Sequence, residues 1–162
     1  MPVIQHYKGV CHVYVDDEAD LAMAEKIVVN SKTHRPGVCN AMETLLVDRT
    51  IAPLFLPRIA EAFARKNVEV RADRAAHELI PASKIATDAD FDTEYLDLIA
   101  NVALVDGLDG AIAHIARYGS NHTEAIVTGN PAKAQRFQRE VDASLVVVNA
   151  STRFADGGEL GL

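Results

Sequence analysis

A cysteine between a Pro-Gly pair and an asparagine is the first residue of this chain that is suited to covalent chemistry. Cys39 lies in the stretch HRPGVCNAMETLL, which runs from His34 to Leu46. The nucleophilic form of cysteine is the thiolate, and its pKa falls beside positive charge or a helix N-terminus. His34 and Arg35 lie close by in sequence, and backbone N–H groups after the turn could stabilise an oxyanion. The pattern predicts either an activated nucleophile or a structural cysteine beside a turn.

A polar cluster follows the last apolar run of the chain. The stretch NASTRF extends from Asn149 to Phe154 and includes Ser151, Thr152 and Arg153. An arginine guanidinium can bind a carboxylate or phosphate through two parallel hydrogen bonds. The cluster therefore predicts a site for an anionic group, with a turn that carries a solvated arginine as the alternative.

The remaining titratable residues suggest structural roles. Glu94, in DTEYLDL, is on local evidence a solvated loop acid. Cys11 begins the apolar run CHVYV, which predicts a small buried hydrophobe. The histidines show no metal-ligand spacing, so we predict no metal site and surface or capping positions for all of them. They are His6, His12, His34, His77, His114 and His122.

The composition is that of one globular domain. The chain has 162 residues, of which 49% are hydrophobic and 24% charged, enough for a real core. Its net charge of −7 argues against nucleic acid as a partner. No apolar run reaches the length of about 20 residues that spans a bilayer. The start, MPVIQHYKG, lacks a secretory pattern, so we predict a cytoplasmic protein with two free thiols and no membrane partner.

Apolar patterns alternate between strand and helix periodicity, which predicts a three-layer αβα domain with a mostly parallel sheet. Chemistry in such sheets gathers beyond the carboxyl ends of the strands, and Cys39 is predicted on such a loop. Segment 71–93 is predicted to form loops with short helical turns, and the apolar run 144–148 a strand buried on both faces. The predicted strands are 11–15, 45–47, 68–70, 101–105, 124–127 and 144–148. The predicted helices are one that Asp16, Asp17 and Asp20 open and that ends near Lys32, 51–66 with Pro57 inside, 108–117 and 131–141.

Several stretches together resemble one enzyme family. They are RPGVCNAMETLLV, GVCHVYVD, TEYLDLIANVALVD, YGSNHTEAIVT and VDASLVVVNASTRFADGGELGL. They are similar to the γ-glutamyl phosphate reductases, a family of the aldehyde dehydrogenase superfamily. NASTRF with DGG, and CHVYVD, carry the specific resemblance, whereas the cysteine loop alone indicates only the superfamily. The resemblance implies the aldehyde dehydrogenase catalytic-domain fold and NADPH-dependent reduction of γ-glutamyl phosphate to glutamate 5-semialdehyde and phosphate, in proline biosynthesis.

The resemblance also implies roles for single residues. Cys39 matches the nucleophile that displaces phosphate and forms a thioester, with its own backbone N–H as oxyanion donor. Glu94 matches the glutamate that hydrogen-bonds the nicotinamide ribose. Asn149, Ser151, Thr152 and Arg153 match the segment near the substrate, and Arg153 is expected to hold its carboxylate or phosphate.

Two absences refine this interpretation. Hydrolytic aldehyde dehydrogenases carry a glutamate that activates water where this sequence has Gln5, and glutamine cannot act as a general base. His6 next to it keeps a hydrolytic domain open as an alternative. No GxGxxG-like loop is present, and Gly157 and Gly158 lack a strand-turn-helix context.

The chain 1–162 is therefore expected to be a single catalytic domain, without the family's nucleotide-binding domain and C-terminal segment. Alone it is expected to bind NADPH weakly and to be inactive. For the full-length protein we expect a homo-oligomer, with glutamate 5-kinase as an expected partner. Two further hypotheses fit the sequence, namely a non-catalytic binding domain with the same fold and a cysteine hydrolase.

Overall fold

A single sheet of seven parallel strands organises the computed structural model, which describes residues 8–156. The strands pair in the order β4-β3-β5-β2-β1-β6-β7, and each recorded pair is parallel. This confirms the α/β class. The strands are β1 (Cys11–Val15), β2 (Met42–Asp48), β3 (Glu69–Ala72), β4 (Lys84–Ile85), β5 (Ile99–Val105), β6 (Thr123–Val127) and β7 (Leu145–Val148).

Helices cover both faces of the sheet, which confirms the predicted three layers. Helices α1, α2 and α3 pack in one apolar core, and α4, α5 and α6 pack in the other. They are α1 (Leu21–Thr33), α2 (Ala52–Arg65), α3 (Arg74–Leu79), α4 (Asp88–Phe91), α5 (Gly107–Tyr118) and α6 (Pro131–Glu140). A 3₁₀ turn at Thr152–Ala155 follows β7. Across residues 8–156, no helix is long and apolar enough to cross a membrane.

Local sequence explains where the helices begin and end. Asp20 accepts a hydrogen bond from the backbone N–H of Met23 and starts α1. Asn130 does the same for α6, in which Pro131 is the first residue. Gly119 follows the last residue of α5 and caps it. Pro57 lies inside α2 without ending it.

Three predictions about burial and strands are wrong. Strand β7 lies at the edge of the sheet and is only half-buried, because an apolar run alone does not show whether a strand is central. Segment 71–93 contains the short edge strand β4 besides its helical turns. His12 is fully buried in β1, where Nδ1 lies 2.9 Å from Glu124 Oε2, and the partly buried His114 meets the rings of His12 and Phe91 edge-on; neither has a surface or capping role.

Candidate active site

Cys39 lies on the loop that leads from α1 into β2. Because it precedes the strand, it lies at the amino edge of the sheet, so its predicted position beyond a carboxyl end is wrong. Its side chain is partly exposed, whereas Cys11 is fully buried, and both thiols are free. Burial, reinforced by the charge of Glu124, raises the pKa of Cys11 well above its ordinary value. Cys39 is thus the accessible thiol of the two.

Strand β1 and the residues just before it contact the backbone of Cys39. The Cys11 thiol donates a hydrogen bond to the Cys39 carbonyl, with an Sγ–O distance of 3.3 Å. Gly9 lies so close that an added Cβ would be 2.0 Å from the same carbonyl oxygen. The close approach of the two backbones therefore requires glycine at position 9 and fixes the place of Cys39.

The Cys39 N–H is available to a ligand. The Ala41 N–H donates to the Val38 carbonyl at 3.1 Å and closes the turn around the cysteine. Within residues 8–156, the Cys39 N–H has no hydrogen-bond acceptor. An unpaired N–H beside a partly exposed thiol is suited to stabilise an oxyanion that forms on attack by that thiol.

Glu94 lies on the loop before β5, beside the cysteine loop. Strands β2 and β5 are parallel neighbours, so the loops that enter them meet at the same edge. The Leu96 carbonyl oxygen is 3.8 Å from the position of a Cβ on Gly37. Glu94 is half-buried rather than fully solvated, and among the described residues its carboxylate has no partner. The fold therefore brings the Glu94 and Cys39 loops together.

The segment after β7 returns from the carboxyl edge toward the cysteine loop. At its start, the Asn149 side chain bonds the N–H and C=O of Thr128, at 2.9 and 3.0 Å. Three residues on, the Thr152 N–H donates to Ser31 Oγ at 3.2 Å, and Ser151 Oγ lies 3.1 Å from the same oxygen. Asn149, Ser151 and Thr152 thus fix this segment against β6 and α1.

Arg153, the next residue of this segment, lies beside the cysteine loop. It is 3% exposed, so the alternative of a solvated arginine on a turn is wrong. Its Nη1 donates to the Asn40 side-chain oxygen, and Asn40 directly follows Cys39. Its Nε donates to His34 Nδ1 at 3.4 Å, and its Nη2 lies 3.2 Å from Asp156 Oδ2. The structure therefore joins the NASTRF segment to the cysteine loop.

A groove of ≈ 500 Å³ opens beside Arg153. One wall is α1, with Lys26 and Asn30, and the other is the segment that includes Phe154. His34 lies at the end that leads to the cysteine loop. The two cationic side chains, Lys26 and Arg153, make this groove suited to an anionic ligand.

A buried ion pair beneath the cysteine loop was not found from the sequence. Lys32 Nζ lies 3.2 Å from Glu43 Oε2, and both side chains are 0% exposed. Burial raises the pKa of Glu43 to about 7, against the opposing effect of Lys32. Burial likewise lowers the pKa of Lys32. Helical spacing gave a signal, because Lys32 follows the buried Val28 by four residues.

The comparisons with known proteins concern the chain as a whole. No family model matches the chain. A curated γ-glutamyl phosphate reductase from Geotalea daltonii is 59% identical to it over 162 residues, which are 100% of this chain and 39% of that protein. This chain is homologous to γ-glutamyl phosphate reductase. It spans well under half the length of the curated relatives that it matches.

A solved γ-glutamyl phosphate reductase shares the structure as well. The crystal structure of the enzyme from Thermotoga maritima matches with a TM-score of 0.93 and 48% identity, over 95% of this chain and 37% of that one. An acetylating aldehyde dehydrogenase from Geobacillus thermoglucosidasius matches with a TM-score of 0.72 and 20% identity, over 94% of this chain and 42% of that one. The second match shows a common fold and confirms the predicted aldehyde-dehydrogenase-like architecture.

Proposed function

We propose that the full-length protein containing this chain is a cytoplasmic, NADPH-dependent γ-glutamyl phosphate reductase. It converts γ-glutamyl phosphate to glutamate 5-semialdehyde and phosphate in proline biosynthesis. The observation that carries this proposal is the homology of the whole chain to named reductases, at 59% identity. The position of a partly exposed Cys39 between the Glu94 loop and Arg153 supports it.

In the proposed reaction the Cys39 thiolate attacks the acyl carbon of the substrate. The Cys39 N–H donates to the developing oxyanion, phosphate leaves with the electron pair of its C–O bond, and a thioester forms. NADPH, when bound, supplies the hydride that reduces the thioester. The resulting thiohemiacetal then collapses to the aldehyde and releases Cys39 as the thiolate.

We assign the contact with the cofactor to Glu94. Its carboxylate has no partner among the described residues and can accept hydrogen bonds from ribose hydroxyls. Most of the cofactor site belongs to a domain outside this chain, so the isolated chain should not turn over.

We assign the substrate to the groove beside Arg153. The guanidinium, together with Lys26, attracts the carboxylate or phosphate of the substrate. Asn149, Ser151 and Thr152 serve the site by holding Arg153 in place through their bonds to Thr128 and Ser31. The resemblance alone supports homo-oligomers and glutamate 5-kinase as a partner of the full-length enzyme.

Phosphate dependence tests the function in the reverse direction. A full-length reductase with this segment is given glutamate 5-semialdehyde and NADP⁺, with and without inorganic phosphate. We expect NADP⁺ reduction that requires phosphate and that Cys39→Ala abolishes. Turnover without phosphate would show that water resolves the thioester, which would make the protein a hydrolytic aldehyde dehydrogenase. His6, which like Gln5 lies outside the described residues, would then be the first candidate for the base.

A further inference from the structure

The two ends of the cysteine loop are joined by the buried ion pair. Lys32 is the next-to-last residue of α1, and Glu43 is the second residue of β2. Their contact at 3.2 Å closes the loop that contains Cys39. Removing two charges from water costs several kcal/mol for each ion, and apolar replacements of buried pairs are often as stable. Stability alone therefore does not account for this pair.

The same carboxylate reaches the loop of Glu94. The Leu96 N–H lies 3.4 Å from Glu43 Oε1, the oxygen that Lys32 does not take. Leu96 has a φ of 54°, in the left-handed region that a side chain disfavours. Its side chain is 46% exposed, so core packing does not hold this conformation. The bond to Glu43 thus ties the backbone two residues after Glu94 to β2.

We propose that Glu43 and Lys32 are positioning residues, which set the Glu94 loop at a fixed distance from Cys39. The inference rests on the proposed function, in which Cys39 forms the thioester and Glu94 contacts the cofactor that reduces it. Neither Glu43 nor Lys32 needs to touch the substrate. We call the Glu43–Lys32 pair the clamp. A displacement of about 1 Å between two reacting groups can lower a rate about 100-fold, so a change in the clamp should change the rate of hydride transfer.

The clamp is open to control by pH. The charged or titratable side chains around the pair are Lys32 from α1 and Cys11 from β1, which interact with Glu43, and Asp97 from the Glu94 loop, which acts on Lys32; Tyr95 reaches Glu43 only through its backbone N–H. Cys11 is a neutral thiol at neutral pH because its pKa is raised. The pKa of Tyr95 is raised to about 12 by its burial and by Asp90. Protonation of Glu43 near neutrality would weaken its bond to Lys32.

The first test is a double variant in a full-length reductase, Lys32→Met with Glu43→Leu. This variant replaces the pair by apolar side chains of similar size and removes the acceptor of Leu96. We expect the protein to fold, with kcat lower by about tenfold or more and a raised KM for NADPH, but an unchanged KM for the acyl phosphate. The matched control is Glu140→Gln, which removes an exposed pair with Arg136 on α6 and should leave all three constants unchanged.

A second readout does not depend on activity. Amide hydrogen exchange at Leu96 should become faster in the double variant, while exchange in the central strands stays unchanged. The single variant Glu43→Gln keeps an acceptor for Leu96 but loses the titrating carboxyl. In Glu43→Gln, the fall of kcat/KM on the acid side of about pH 7 should disappear. Should the double variant not fold, this single variant tests the positioning role by itself.

The proposed function and this inference fail in different ways. Should the unaltered enzyme not reduce the acyl phosphate, or should Cys39→Ala remain active, the proposed function is wrong. An active enzyme whose double variant keeps the same kcat, KM for NADPH and Leu96 exchange overturns only the positioning role. An unchanged pH profile in Glu43→Gln counts equally against it.

Discussion

The two edges of the sheet differ in how their polar groups are paired. At the carboxyl edge, side chains cap the starts of α1, α3 and α6, whereas α2 and α5 begin without a side-chain cap. Asp73, for example, accepts from the N–H of Ala76 at 2.7 Å and of Leu104 at 2.9 Å. At the amino edge, among residues 8–156, the Cys39 N–H and the Glu94 carboxylate have no partner.

The acidic cluster at the carboxyl edge shows the same self-pairing. Asp16 accepts from Thr128 Oγ1 at 2.7 Å and from the Glu18 N–H at 3.2 Å. The Lys133 ammonium pairs with Asp16, Asp17 and Glu18. Ligands of parallel sheets usually bind beyond the carboxyl ends, where helix N-termini offer free N–H groups. In this chain, side chains bond the first N–H groups of α1, α3 and α6 at that edge, whereas the Cys39 N–H and the Glu94 carboxylate at the amino edge have no partner among residues 8–156.

Thiol reactivity gives the sharpest contrast between a site group and a buried group. At pH 7, iodoacetamide should modify Cys39 about 100-fold faster than Cys11, because Cys11 is 0% exposed and its pKa is raised. Peptide mapping after short exposures measures both rates in this chain. Equal rates, or a faster Cys11, would favour a non-catalytic domain that has kept the fold.

The contact between Gly9 and Cys39 is expected to give the next largest effect. Gly9→Ala would place a Cβ 2.0 Å from the Cys39 carbonyl oxygen, so the loop must move and kcat should fall by about tenfold or more. Steady-state kinetics of a full-length reductase measures this change. Gly37→Ala is the matched control in the same loop, because its Cβ would meet only the Leu96 oxygen, at an ordinary 3.8 Å. An equal fall of kcat in Gly9→Ala and Gly37→Ala would show that the close contact at position 9 has no special role in placing Cys39.

Arg153 should produce a smaller effect, mainly on substrate binding. Arg153→Ala removes the cation from the groove and the bond to Asn40, so the KM for the acyl phosphate should rise by about tenfold. The domain should still fold, with a free energy of unfolding lower by about 1–3 kcal/mol for the lost buried bonds. Kinetics and urea unfolding measure the two quantities. Arg49→Ala, which breaks an exposed pair with Asp106 at the carboxyl edge, should change neither.

The smallest predicted effect is a pH dependence of stability that depends on the clamp. The pKa of Glu43 is raised from 4.5 to about 7 in the folded state, mainly by burial. The folded state then binds the proton more tightly, so this contribution to stability is present below about pH 4.5 and is lost as the pH rises through about 7. Lys32→Met with Glu43→Leu should flatten the curve of unfolding free energy between these values. If urea titrations give the double variant and the unaltered protein identical curves, Glu43 is charged across this pH range in the folded as in the unfolded state, and its pKa is not raised.

The sequence predicted most of the layered fold, because long periodic runs identify their elements. The helices that became α1, α2, α5 and α6 were found within a few residues. Strand β4 was missed because it has only two residues, both exposed. The half-buried state of β7 depends on its position in the sheet, which an apolar run does not encode.

The site was predicted less completely than the fold. Cys39, Glu94 and Arg153 were selected from the sequence, but their arrangement depends on the pairing of β2 with β5 and on the return of the last segment. The bond from Arg153 to Asn40 joins residues 113 positions apart, and local patterns carry no signal for it. The direction of the chain at Cys39 could have been used, because a residue that precedes a parallel strand lies at the amino edge.

The central claim is that chemistry takes place on Cys39 at the amino edge. Its most direct test is to incubate a full-length reductase, without NADPH, with γ-glutamyl phosphate that is generated in situ. The account predicts release of phosphate and a single glutamyl group on the peptide that contains Cys39, both of which are lost in Cys39→Ala. A glutamyl group on another residue, or phosphate release that survives in Cys39→Ala, would contradict it.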